Sequence, residues 1–464
     1  MKLTSPNLQN NDRRAERGSV LIIVLWIVIG LVGITLYFAN AMTLEYRAAD
    51  NRMSGLAADQ AIEGAARYVG YALVNYATNG LMPTNALFSC TAVPVGDSYF
   101  WIIGRDPATT AATEPHFGLI DEASKLNLNR ANTNILSYLP NMTEDLAGAI
   151  VDWRSTNSSG TYGLNYGTLG YQDKNAPFES VEELRLVYGV TIGLLIGDDL
   201  NRNGVLDGNE KSGIGGTMQT AGLLDYTTIY TREPNVHPDG SSLTNVNNFN
   251  SADEMATFFQ SAGANSDETM VTTVYNSIKG NQNARPPVTG VPCRSILDFY
   301  LRCMSNGLST DDVAKFYNNI TTTTNTTTSG RVNVNTASED VLTALIMGAN
   351  LDQSTAESAA QSLVAYRGSN PDSLTSPAWI VTALGQSSPV PAALAAHDWT
   401  TTKSFQFTAD IAAVGPLGRG YRRVKFVFDI TDGTPKIIYR QDLSRFGWAL
   451  GEKVRQTFVA NNTP

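Results

Sequence analysis

Arg17-Gly18-Ser19 leads without a gap into VLIIVLWIVIGLVGITLYFANAM, Val20 to Met42, and no charge falls between Arg17 and Glu45. About 20 apolar residues in a helix cross the hydrocarbon of a bilayer at ~1.5 Å per residue, so this run is long enough to span. The segment before it, residues 1–18, is polar and carries Lys2, Arg13, Arg14 and Arg17. Basic residues are retained on the cytoplasmic side, which places the N-terminus in the cytoplasm and the acidic bulk outside it. The expectation is a single-pass protein of the inner membrane with its C-terminal bulk in the periplasm.

Three readings compete for how this segment is processed. Ala39-Asn40-Ala41 offers a small-residue cleavage site, but the apolar run exceeds the roughly 7–15 residues of a secretory signal. An uncleaved anchor needs only the run itself. A prepilin-type leader is cut after a Gly that abuts the apolar helix, and Gly18-Ser19 stands at that boundary. The residues beyond Met42 favour the prepilin leader. From Thr43 to Ala77 the chain has no Pro, and Ala49, Met53, Leu56, Ala57, Ala61, Ala65, Val69 and Leu73 recur at three- and four-residue steps. That spacing predicts one helix over residues 19–78, apolar all round in its first half and amphipathic in its second. A plain anchor does not need the continuation.

The run RGSVLIIVLWIVIGLVGITLYFANAMTLEYRAADNR resembles the start of the K-type minor pseudopilins of bacterial type II secretion systems. With Ser19 as first residue of the mature chain, the fifth is Ile23. Most pilins carry Glu there, and a carboxylate in hydrocarbon is costly without a partner. K-type subunits lack it, as this chain does. The resemblance implies cleavage between Gly18 and Ser19, methylation of the new amine, and a structural place at the filament tip in protein export. It implies as partners the I- and J-type minor pseudopilins, with the secretin and exported proteins beyond them. A minor pilin of a type IV pilus shares the same leader and helix and is the nearest alternative.

Two segments about two hundred residues apart resemble each other. KLNLNRANTNILSYL…LAGAIVDWR covers Lys125 to Arg154, and RVNVNTASEDVLTAL…AAQSLVAYR covers Arg331 to Arg367. Each reads as a short strand, an Asn-rich helix start, a hairpin and a second helix ending in aromatic-Arg. Thr336 and Glu339 have capping-box spacing, and Phe178–Val190 and Ser373–Gly385 read as matching third helices. The modules resemble the SAM-like segments of K-type pseudopilins, and also helix-hairpin-helix DNA binders. The latter bring a Gly-rich turn to phosphate. Here Pro140–Asp145 and Met347–Thr355 contain no G-x-G, no Lys or Arg, and several acids. With 43 acidic against 33 basic residues and a formal charge of −10, a membrane-tethered DNA receptor is disfavoured and nucleic acid is not expected as a partner.

Asp199, Asn201, Asn203, Val205, Asp207 and Glu210 fall at positions 1, 3, 5, 7, 9 and 12 of a calcium-loop register, with Gly204 at position 6. Hard oxygen donors suit Ca²⁺, whose expected role is structural; the alternative is an Asn/Asp-rich turn that binds nothing. Some K-type pseudopilins bind calcium. Of the three cysteines, Cys293 and Cys303 are near enough in sequence to bridge in an oxidising compartment, the alternative being buried free thiols. His116, His237 and His397 are scattered, and no GxSxG or phosphate-binding loop occurs, so no enzyme is expected. Asp121-Glu122 reads as a solvated turn.

The predicted fold is α+β. A pilin-like head combines the N-terminal helix with an antiparallel sheet from residues 79–124 and 400–450. A large, mostly helical insertion divides it: residues 125–320 with the first module and the calcium loop, a Thr-rich linker at 321–330, and the second module at 331–399. Tyr99–Ile103 and Phe117–Leu128 read as strands, as do Ser404–Val414, Tyr421–Thr431 and Pro435–Leu443. Between Thr217 and Gly290 only a helix near Met255–Ser261 is legible.

Overall fold

The computed structural model describes residues 16–77, 80–105, 114–156, 166–207, 210 and 221–461. Its first element, α1 (Glu16–Tyr76), is one uninterrupted helix of 61 residues. Among the described residues it alone is long and apolar enough to cross a membrane, and its apolar portion packs on nothing in the chain. From Ser54 onward it is covered. Ala58, Ala61, Ile62, Ala65, Ala66, Val69, Ala72 and Leu73 are buried. The expected stripe is therefore shifted at its start: Met53 and Leu56 face outward, 65% and 57% exposed. The reason is steric. Ser54 and Gly55 lie against two glycines of the head, and a Cβ on Gly415 or Gly420 would sit 2.3 to 2.5 Å from Ser54 backbone atoms. That backbone contact turns Met53 and Leu56 away.

The head sheet has six strands: β1 (Val93–Val95), β2 (Ser98–Ile103), β3 (Ile120–Asp121), β4 (Gln406–Val414), β5 (Arg422–Asp429) and β6 (Lys436–Asp442). The order is β1-β2-β4-β5-β6, all antiparallel, with β3 also pairing β4 beyond the end of β2. β4 is the centre, and every one of its residues is buried. Phe407, Ala409, Ile411 and Ala413 belong to the core shared with α1, as do Val424, Phe426 and Phe428 of β5. Trp101, Ile103, Ala412 and Val414 form a smaller cluster with Ala449 and Leu450, and Phe458 of a C-terminal helix packs against it. Of the expected strand Phe117–Leu128, only Ile120–Asp121 and Leu126–Asn127 are extended, because Glu122–Ser124 turn as a 3-10 helix capped by Asp121.

The two sequence-similar segments fold alike. Leu126–Asn127 pairs in parallel with Thr227–Thr228, and Val332–Asn333 pairs in parallel with Thr400–Thr401. Helices Thr133–Ser137 and Glu144–Arg154 correspond to Glu339–Gly348 and Gln353–Ser369. In both hairpins an Asn takes the left-handed conformation, Asn141 (φ 59°) and Asn350 (φ 65°), which Asn tolerates better than most residues. Asn129 bonds the backbone of Phe178, and Asn335 bonds the Leu374 carbonyl. Arg154 donates to the Ala131 carbonyl at 2.5 Å, and Arg367 to that of Ala337 at 2.6 Å.

Several expectations change. The N-cap of Glu339–Gly348 is Ser338, not Thr336, because the Thr336 hydroxyl is drawn to Asp121. The first third helix is a short 3-10 turn, Val181–Leu186; the second is Trp379–Leu384. The apolar core is also shared differently from the expected division. Residues of both modules, Leu126 to Tyr226 and Val332 to Ala395, make one core. Residues 246–320 make another, around Ala252–Ser261, Glu268–Lys279, Ile296–Ser305 and Thr310–Phe316, with Phe259 stacked on Phe316 at 5.1 Å. The Thr-rich stretch is anchored: Ile320–Thr321 pairs with Thr244–Asn245, Thr327–Ser329 pairs with Arg232–Pro234, and the Asn235 amide holds the Thr323 and Asn325 carbonyls.

Candidate functional site

On the face of the head sheet turned away from α1, the part beyond the Trp101–Leu450 cluster is polar, and there the insertion docks. Asp121 and Glu122, neighbours in sequence, serve different modules. Asp121 accepts from Ser404 (2.5 Å), Thr336 (2.5 Å) and Asn333 (2.9 Å), tying β3 to the second module. Glu122 accepts from Thr228 (2.5 Å) and Thr408 (2.6 Å) and pairs with Lys125 at 3.2 Å, tying β4 to the first. Both are 3% exposed. The expected solvated turn is thus a buried joint. Burial pushes the Asp121 carboxyl up to about 6 despite its donors. Burial acts the same way on Glu122, but Lys125 and the two hydroxyls bring it below the usual carboxylate range.

Next along the same face, Arg423, which is fully buried, grips Asp410 through Nε to Oδ1 (2.8 Å) and Nη2 to Oδ2 (2.5 Å). Burial opposes the Asp410 charge, but the guanidinium wins and lowers its pKa. Lys425 reaches Glu182 at 3.4 Å, and Gln406 and Arg232 hold Asp429. Asp121, Asp199, Asp225 and Asp340 also line a cavity of about 330 Å³ at the junction, and each already has a partner: the donors above, the backbone of Asn203, Arg105 and Tyr226 respectively.

The proposed calcium loop lies against this face. Asp199 accepts the amides of Asn203 (3.0 Å) and Gly204 (2.6 Å), Asn201 Oδ1 that of Asn203 (3.0 Å), and Asn203 Oδ1 that of Val205 (2.8 Å). Glu210 closes the loop, accepting from the amides of Asn201 (3.0 Å) and Asp207 (2.9 Å). Asp207 Oδ2 takes the side-chain amides of Asn201 (2.6 Å) and Asn203 (3.2 Å). Gly204 has φ 83°, the turn its position requires. The candidate side chains are thus joined by the loop's own hydrogen bonds. Asp207 Oδ2 is filled by its two donors, but the other accepting side-chain oxygens take one bond each and keep a second lone pair, which leaves room for a hard cation. Among the described residues, no group of three or more His, Cys, Asp or Glu gathers to hold a metal. The loop's donors are instead mixed: three carboxylates, two amides and the Val205 carbonyl.

Gly18 and Ser19 sit in the first turn of α1, whose helix begins at Glu16; residues 1–15 of the expected leader lie outside the described residues. Cys293 and Cys303 are buried free thiols, as is Cys90, which is the second of the two alternatives and not the bridge. Burial pushes Cys293 up to about 12, which keeps it an unreactive thiol.

No family model matches the sequence, and no curated protein matches it.

Sequence reading missed Arg423, Asp410 and the roles of Asp121 and Glu122. One signal was available. In QFTADIAAV, Gln406, Thr408 and Asp410 alternate with Phe407, Ala409 and Ile411 in a strand whose polar side would normally face water.

Proposed function

We propose that this chain is a membrane-anchored structural subunit at the tip of a type II secretion pseudopilus, of the K-type minor pseudopilin kind. The observation that carries the reading is α1: one helix that is uncovered and apolar in its first half and seated on an antiparallel sheet in its second. Such a helix holds a head at a fixed height above the membrane and can bundle with neighbouring helices. Asp59 pairs with Arg422 at 2.9 Å and Glu63 with Arg440 at 2.7 Å, and Asp50 pairs with Arg419, so the head grips one side of the helix. Tyr46, Met53, Leu56, Tyr71 and Val74 remain exposed on the rest of it. These side chains are the surface offered to the I- and J-type subunits. Ile23 in place of an acid removes the need for a subunit ahead, which suits the tip.

Mass spectrometry of the mature N-terminus tests the reading. A chain starting at methylated Ser19 supports it; one starting at Met42, or still carrying its leader, overturns it. Met53→Glu should abolish co-purification with the other minor pseudopilins at unchanged melting temperature.

The loop Asp199–Glu210 binds one Ca²⁺ in this reading, the support being its oxygen-only donor set in loop register. Calcium at ~100 times its dissociation constant would add ~2.7 kcal/mol to folding stability. Glu210→Gln should remove that gain.

A further inference from the structure

The loop is gripped from outside as well as knit within. Arg423, from the middle of the head sheet, donates Nη2 to the Arg202 carbonyl at 2.7 Å and Nη1 to the Asn201 carbonyl. Arg105, just past the end of β2, donates Nη2 to the same Arg202 carbonyl at 2.8 Å and pairs with Asp225 of the first module at 3.3 Å. Arg202 takes a left-handed backbone (φ 59°) between the two gripped carbonyls and Asn203. The Asn201 and Arg202 carbonyls are not candidate cation ligands; they belong to the outer side of the loop. One short segment therefore offers side-chain oxygens to its own interior and backbone oxygens to two head arginines.

We propose that loop 199–210 is a latch fixing the insertion on the head, with Arg423 and Arg105 as its catch and a divalent cation closing it. The cation part rests on the calcium reading above. Asp199, Asp207 and Glu210 bring three like charges into one loop, and a bound cation offsets their repulsion. With the loop closed, its outer carbonyls stay in place for the guanidinium groups. With the loop open, those carbonyls leave, and Arg423 loses two acceptors at a site that water does not reach. The ion is thereby coupled to the angle between head and insertion and not only to the stability of the insertion.

The test is a distance measurement in the full chain in detergent. Spin labels are placed at Lys436→Cys on the head and Leu186→Cys on the insertion, both exposed positions; the native cysteines are buried. In millimolar calcium the distance distribution should be single and narrow, and in chelator at least twice as wide. Arg423→Met should stay wide in calcium, and because coupling is reciprocal its calcium dissociation constant by titration calorimetry should be weakened by at least about fivefold while binding remains measurable. Arg105→Gln, at a half-buried position, is the second variant should Arg423→Met not fold. A chain that binds calcium by calorimetry but keeps one width with and without it overturns the latch and leaves the calcium reading standing. A chain that binds no calcium overturns both.

Discussion

The two faces of β4 are equally buried and built in opposite ways. Towards α1 it presents Phe407, Ala409, Ile411 and Ala413, and the helix answers with Ala61, Ala65, Val69 and Leu73. On its other side Ala412 and Val414 meet Ala449 and Leu450, but where the insertion docks it presents Gln406, Thr408 and Asp410, matched by Asp429 and Thr431, by Glu122 and by Arg423. An apolar face needs only the right volume and is stabilised by every methylene it removes from water. A polar face gains little net energy from each bond but loses heavily when one partner is missing. The first face therefore holds the head to its helix with tolerance. The second specifies where the insertion sits.

This contrast predicts that single changes on the polar side cost more than conservative ones on the apolar side. Arg423→Met strands a buried carboxylate at Asp410 and should lower unfolding free energy by about 3–5 kcal/mol in urea titration. Adding Asp410→Leu should recover most of the loss. A double mutant no better than the single would mean that the loop carbonyls, not Asp410, account for the cost.

Asp121 makes the polar face pH-dependent. Its folded pKa, about 6, lies above the unfolded value, so the folded state holds its proton more tightly. Its contribution to stability is then most favourable below about pH 4 and is lost as pH rises through 6, a swing on the order of 3 kcal/mol. The stability difference between wild type and Asp121→Asn, measured by urea midpoints from pH 4 to 7, should show that slope. A difference flat in pH would show that Ser404, Thr336, Asn333 and the Ala123 amide together hold Asp121 ionised throughout.

Ile411→Val on the apolar face should cost only about 0.5–1.5 kcal/mol, since the surrounding side chains partly close the gap. The smallest effect belongs to the rim. Glu63 and Arg440 are each about half exposed, and Glu63→Gln should change stability by about 0–1 kcal/mol, less at high salt.

The same contrast governs how much of the fold and site was legible. The C-terminal strands alternate visibly, and β4, β5 and β6 lie where that alternation puts them. The repeated segments were legible because each copy keeps its Asn pair and its final Arg. Thr336 was misread because capping depends on local spacing, whereas its hydroxyl answers an acid more than two hundred residues away. Asp121-Glu122 looked solvated because nothing nearby in sequence hints at Ser404, Thr228 or Thr408. The Thr-rich stretch reads as a linker because its pairing strands, at Thr244 and Arg232, carry no pattern of their own.

By itself the sequence determined the elements whose cause is local. A charge-free run of spanning length, a helix without Pro beyond it, alternating strands and a loop of oxygen donors in register each arise from residues within a few turns of one another. Only the tertiary structure decided that both faces of β4 are buried, that two neighbouring acids serve two modules, and that the candidate ion loop rests its outer carbonyls on Arg423. A buried polar group is defined by its partner. These partners come from parts of the chain that meet only once the fold has formed.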